Sequence, residues 1–194
     1  SVLGVSVSLS EAEVHWRSFL TSLIDRGLHG VRQITSDDHP GLGQARRACF
    51  PSVPWQRCQF HLMQNALHYV PKLPMRREVA RDLRGVWDAP DRHEAERQLA
   101  LLVEKYQTAA PKLAAWLEAN VPEGLTVFAL PAEHRRRLRT SNPLERLNKE
   151  IKRRTRVATL FPNEASLLRL VTAILQETSE DWETGKIYLN LETN

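Results

Sequence analysis

The sequence predicts an α/β fold, and three observations predict it. Short apolar or aromatic runs near residues 2–9, 31–36 and 55–60 have the length and composition of strands. The stretches between them place apolar residues at helical spacing. From about Met75 to Asn120 the helical pattern repeats with no strand signal, so an all-helical block interrupts a strand-bearing region.

In chain order, Val2, Leu3, Val5, Val7 and Leu9 read as a first strand. A helix is expected from about Glu11 to Arg26, because Ala12, Trp16, Phe19, Leu20 and Leu23 form one apolar stripe. Ser10 is its expected cap, with Glu13 completing a capping box, and Gly27 and Gly30 stop it. Val31 to Ser36 is a short buried strand that delivers Asp37 at its C-terminal end, sharing a face with Val31, Gln33 and Thr35. Asp38 points the other way, and Pro40 begins a helix through Cys49 that Asp38 would cap. Trp55 to Phe60 is a strand and His61 to Val70 a helix, ended by Pro71 and Pro74. Beyond the helical block, Val127 to Leu130 is a short strand or an extended connector, followed by helices at about 143–154 and 164–181.

With 194 residues, 42% of them hydrophobic, the chain can bury a sizeable core, which excludes a disordered tail as its class. No apolar run is long enough for a membrane helix, and the N-terminus lacks a signal-peptide pattern, so an intracellular location is expected. The two cysteines, Cys49 and Cys58, are too few for a disulfide framework.

Charge is concentrated. Between Glu133 and Arg156 lie ten basic residues against three acids, a local surplus larger than the whole chain's +4. The remainder is slightly acidic, so the basic segment marks a polyanionic partner. Within it, Asn142-Pro143 is a strong helix start that puts Glu145 at the third helical position, where a carboxylate satisfies the helix N-terminus without any further role. Lys149 at i+4 adds a surface pair worth about 0.3–0.5 kcal/mol. The helical wheel gathers Glu145, Asn148, Lys149, Lys152 and Arg156 on one face, opposite Leu144, Leu147 and Ile151.

Four segments in this order, SDDHPGL, WQRCQFHLMQNALHYVPK, TSNPLERLNKEIKRRTRV and FPNEASLLRLVTAILQETSEDW, closely resemble the bacterial insertion-sequence branch of the Mutator-type transposases over nearly the whole chain. The resemblance implies a ribonuclease-H-like core with a helical insertion and an Asp, Asp, Glu triad that holds divalent metal, Mg2+ or Mn2+. Its second Asp maps to Asp37 and its Glu to Glu145. It implies DNA cleavage and strand transfer at transposon ends and target, with Arg135, Arg136, Arg137, Arg139, Arg146, Asn148, Lys149, Lys152, Arg153, Arg154 and Arg156 expected on the DNA. A homo-oligomeric full-length enzyme in the bacterial cytoplasm, associated with the nucleoid, follows from the same resemblance, as does the absence of a membrane partner.

The family's first Asp lies upstream of the matching region, and no residue before Ser10 is acidic. The expectation is therefore a C-terminal portion: a partial ribonuclease-H-like core at 1–72 with its first strands missing, a helical insertion at 73–125 and a return to the core at 126–194. On its own such a chain is expected to be inactive, and the alternative is a non-catalytic DNA-binding or oligomerising remnant that interferes with full-length enzyme. Cys58 and His61 form the family's Cys-x-x-His, which is half a zinc site with no second pair at finger-like spacing; packing at a strand end and a helix start is the expected role. His39 is left between a DNA contact and a turn. The five tryptophans are expected in the core, with Trp87 or Trp116 the candidates for stacking on an extruded base.

Overall fold

The computed structural model describes residues 1–8, 10–156 and 161–184. In chain order the elements are α1 (Glu13–Asp25), β1 (Ile34–Ser36), α2 (Pro40–Cys49), β2 (Trp55–Arg57), α3 (Gln59–His68), α4 (Met75–Trp87), α5 (Arg92–Gln107) and α6 (Pro111–Asn120). Two 3-10 turns, Val121–Gly124 and Thr126–Ala129, lead into α7 (Ala132–Leu138), α8 (Asn142–Thr155) and α9 (Glu164–Thr184). The described residues are thus mostly helical, with a two-stranded parallel sheet in which Ile34 pairs with Trp55 and Ser36 with Arg57. The α/β class holds in this reduced form. The chain divides into two units: residues 1–31, 39–52 and 143–194 make one, and residues 32–38 and 53–142 the other.

In the first unit, α1 lies against α2. Their approach is close enough that a Cβ on Gly41 would run into the backbone of Glu11, so the second residue of α2 has no room for a side chain. Gly27 and Gly30, both at positive φ, end α1 as expected. Its start differs from expectation. The N-cap is Ala12 without a side-chain cap, the Ser10 N–H is held by Ser8 Oγ at 3.2 Å, and Glu13 pairs with Arg17 instead of closing a capping box. Residues 1–8 form no strand, and Leu9 lies outside the described residues. Val2 and Val5 instead pack on an apolar cluster built by Leu147, Val171 and Leu175 of α8 and α9, and the Val2 N–H donates to Ser179 Oγ at 3.1 Å. A strand exists only where a neighbour supplies the ladder, and apolar residues lacking one bury themselves against helices.

The second unit holds the larger core. Leu62 and Ala66 of α3, Val79, Leu83, Val86 and Trp87 of α4, and the inward faces of α5 and α6 interlock with Val121, Leu125, Val127 and Phe128. Residues 127–130, expected as strand or connector, lie on the second 3-10 turn and its exit. Trp55–Phe60 is strand only as far as Arg57, since Gln59 already begins α3. The short helix α7 was not anticipated, because its sequence AEHRRRL presents no apolar stripe. Residues 157–160 and 185–194, which belong to the expected C-terminal return, lie outside the described residues.

Candidate active site and nucleic-acid surface

The parallel pairing of β1 and β2 brings two sequence motifs of the second unit to the same strand ends. The Cys58 N–H donates to Ser36 O at 2.7 Å, so SDDH and the Cys-x-x-His start side by side. C-terminal strand ends are where open α/β sheets gather their ligands. Asp37, one residue past β1, is exposed, and its carboxylate makes no ion pair or hydrogen bond among the described residues.

Asp38, expected to cap α2, does something else. Its Oδ2 meets Arg57 Nη2 at 3.1 Å, while α2 takes His39 as an N-cap with no side-chain cap. Arg57 is 5% exposed, and its Nη1 also donates to Asn120 Oδ1 at 3.0 Å and Glu123 Oε2 at 2.9 Å. One buried guanidinium therefore fastens the residue after Asp37 to the end of the helical block, using the planar fork that Lys lacks. His39 of the first unit has the extended backbone of a helix N-cap, with Nε2 3.0 Å from Glu11 Oε2.

Cys58 is fully buried, and its Sγ accepts from Ser141 N and Ser141 Oγ, each at 3.3 Å. His61 is half-buried, with a ring nitrogen within 4.8 Å of that sulfur and its ring edge-on to Phe60. Beside them, the Gln59 N–H donates to Arg139 O at 3.0 Å. The side chain of Gln56 donates to Gly124 O at 2.8 Å and accepts from Val127 N at 2.6 Å, and Gln59 Nε2 donates to Gly124 O at 2.8 Å. These buried amides satisfy backbone groups of the 3-10 turns that no ladder serves.

The basic segment divides by what its side chains hold. In the second unit, Arg135 donates to Leu130 O and Pro90 O and lies over the Phe128 ring, and Arg139 donates to Trp87 O and Asp88 Oδ1. Arg136 and Arg137 are exposed on α7. In the first unit, Glu150 gathers Arg153 and Arg154, whose hydrogen bonds hold its carboxyl down at about 2, and Arg154 reaches on to Glu177 at 2.5 Å. Arg146, Lys149, Lys152 and Arg156 of that unit are exposed and carry no ion pair among the described residues. Asn148 shares their exposure. Glu145 sits half-buried in the first turn of α8, as its spacing predicts. Leu144 does not: it is 56% exposed, leaving Leu147 and Ile151 to make the apolar face. Asp37 belongs to one unit and Glu145 to the other.

The family model described as "Transposase, Mutator family" matches residues 1–185. The chain belongs to the Mutator family of transposases. It is 57% identical over 189 residues to a transposase for insertion sequence element IS406 from Burkholderia multivorans, an alignment covering 97% of this chain and 49% of that protein. It is 40% identical to a transposase for ISRM5 from Rhizobium meliloti, covering 98% of the chain and 48% of the relative. It is 30% identical to a transposase for IS256 in transposon Tn4001 from Staphylococcus aureus, covering 98% and 49% respectively. The chain spans about half the length of the curated relatives it matches. No described helix is long and apolar enough to cross a membrane.

Within this transposase-family chain, sequence reasoning missed Arg57, Gln56 and Ser141 as builders of the strand-end region. A signal was present: three polar or charged residues, Gln56, Arg57 and Gln59, crowd a short strand signal that would otherwise be apolar. Trp87, a candidate for base stacking, is 6% exposed inside the core and is corrected to a packing residue. Trp116 is half-buried and stacks on Tyr69, with ring centroids 5.6 Å apart.

Proposed function

We propose that this chain is the C-terminal catalytic portion of a DNA transposase for an insertion sequence, carrying two of the three carboxylates of a metal-dependent cleavage and strand-transfer site. The observation that carries the reading is Asp37: an exposed carboxylate without a protein partner among the described residues, at the C-terminal end of a strand in a parallel pair. Its neighbour Asp38, by contrast, is engaged by Arg57. Open carboxylate oxygens suit a hard divalent cation, so the donor chemistry fits Mg2+ or Mn2+. Asp37 and Glu145 would hold it, together with the Asp that the family resemblance puts upstream of Ser1. When bound, the metal would supply Lewis-acid polarisation of the scissile phosphate and lower the pKa of the attacking hydroxyl.

The protein's own residues have definable tasks. Arg57 keeps Asp38, and with it the backbone of Asp37, in one position. Cys58 holds Ser141, four residues before Glu145 in sequence, through two hydrogen bonds to its sulfur. Arg146, Lys149, Lys152 and Arg156, with Arg136, would neutralise DNA phosphates and fix register without reading bases. Parallel β1 and β2 joined through α2 support the ribonuclease-H-like core, with residues 73–125 as its helical insertion.

The test is Mg2+-dependent nicking of a labelled element end by this chain joined to an upstream family segment carrying an Asp. Cleavage is expected, and Asp37→Asn or Glu145→Gln should each abolish it while DNA binding persists. Undiminished cleavage by either variant refutes the assignment. DNA binding without cleavage in any form favours the non-catalytic module.

A further inference from the structure

Helix α4 separates its charges. Val79, Leu83, Val86 and Trp87 face the core. Its acids turn to one flank, where Lys105 Nζ meets Glu78 Oε1 at 2.7 Å and Asp82 Oδ2 at 2.6 Å, and Tyr106 donates its hydroxyl to the same Asp82 oxygen at 2.7 Å. On the other flank Arg76, Arg77 and Arg84 are all exposed and have no ion pair or side-chain hydrogen bond among the described residues. With Leu67 and Ala80 they line a groove of about 450 Å3. At 100° per residue the three arginines fall within an arc of about 100°, and Arg76 to Arg84 spans about 12 Å along the axis.

Three guanidinium groups converging on one concave surface repel one another, and the acids that could neutralise them are already tied to Lys105. Such an arrangement is stabilised by a ligand that brings several negative charges at regular spacing. A 12 Å span matches roughly three to four nucleotides of a duplex strand at about 3.4 Å each. We infer that the α4 groove is a second DNA-backbone site, in which Arg76, Arg77 and Arg84 contact successive phosphates of duplex DNA. The inference rests on the transposase reading above and extends it to a surface outside the 133–156 basic segment. Beyond the arginines, which only donate, the groove is lined by Leu67 and Ala80 and offers no side chain that could read a base edge, so the contact adds affinity and register and leaves sequence preference unchanged.

The experiment uses this chain as it stands and a fluorescent 24-base-pair duplex, with anisotropy recorded between about 50 and 200 mM salt. Arg76→Ala/Arg77→Ala/Arg84→Ala is compared with the parent and with Arg146→Ala/Lys149→Ala/Lys152→Ala. The α4 triple variant is expected to bind about tenfold or more weakly and to flatten the log–log salt slope by about 2–3. Circular dichroism should be unchanged, since all three side chains are exposed, and Arg84→Gln alone should lower the slope by about 1 should the triple variant unfold. An α8 variant that loses binding beside α4 variants that keep the parent slope overturns this inference and leaves the proposed function standing. A parent chain that binds no duplex overturns both. An RNA duplex bound more tightly than DNA, and alone sensitive to the α4 substitutions, replaces DNA with RNA as the occupant and overturns the assignment.

Discussion

Removing Arg57 should loosen the strand ends of the second unit by an amount the structure allows to be sized. The guanidinium is buried, with the side chain 6% exposed, yet its acid partners Asp38 and Glu123 are 55% and 43% exposed. In Arg57→Ala both carboxylates can regain water, so the large penalty of a stranded buried charge does not apply. What is lost is two hydrogen bonds, to Asn120 and Glu123, and the ion pair with Asp38, about 0.5–1 kcal/mol each. The buried aliphatic stem adds about 1–2 kcal/mol of packing. One guanidinium nitrogen, Nε, has no partner among the described residues, a burial cost that the substitution relieves. The expected net loss is about 3 kcal/mol. Arg57→Met, which keeps most of the stem, should lose about 1–2 kcal/mol, the polar share alone. Urea denaturation at neutral pH measures both as shifts in midpoint at constant slope. An Arg57→Ala midpoint indistinguishable from the parent would refute the argument that this side chain fastens the Asp38 turn to Asn120 and Glu123.

Gly124→Ala should destabilise by about 1–3 kcal/mol in a thermal melt, because the new methyl would sit 2.6 Å from Leu62 Cδ1, a fully buried side chain. The loss should shrink when combined with Leu62→Ala, and strict additivity would count against the clash. Burial first, and then the hydrogen bond to Asp82, push the Tyr106 hydroxyl up to about 12. A raised pKa contributes stability that is fully present below the unfolded value of about 10 and is lost as pH rises through about 12. Absorbance titration should show a tyrosinate step near that pH that Tyr106→Phe removes; a step unchanged by the substitution would show that Tyr106 does not cause it.

Helix α4 shows how much local pattern can carry. Its apolar stripe Val79, Leu83, Val86 and Trp87 was legible from 3.6-residue spacing, and the same residues are buried. The basic segment and the helix start at Asn142-Pro143 were equally legible, because charge count and capping chemistry are written in consecutive residues. Strand assignments fared less well. Residues 2–8 have strand composition but no described ladder partner, and pack on α8 and α9 instead. Asp38 has cap chemistry, yet Arg57, nineteen residues on, takes it as an ion-pair partner.

The sequence by itself determined the helical block and the concentration of positive charge, since each is a property of spacing along the chain, and the order of its motifs carried the resemblance to the family, on which the two candidate carboxylates rest. Only the tertiary structure decided that Asp37 is left open while Asp38 is engaged, that Ser141 lies on Cys58, and that the arginines of α4 share a groove while its acids are bound to Lys105. Those are pairings between residues far apart in the chain. Burial and electrostatics choose them only once the backbone has brought the partners within hydrogen-bond reach.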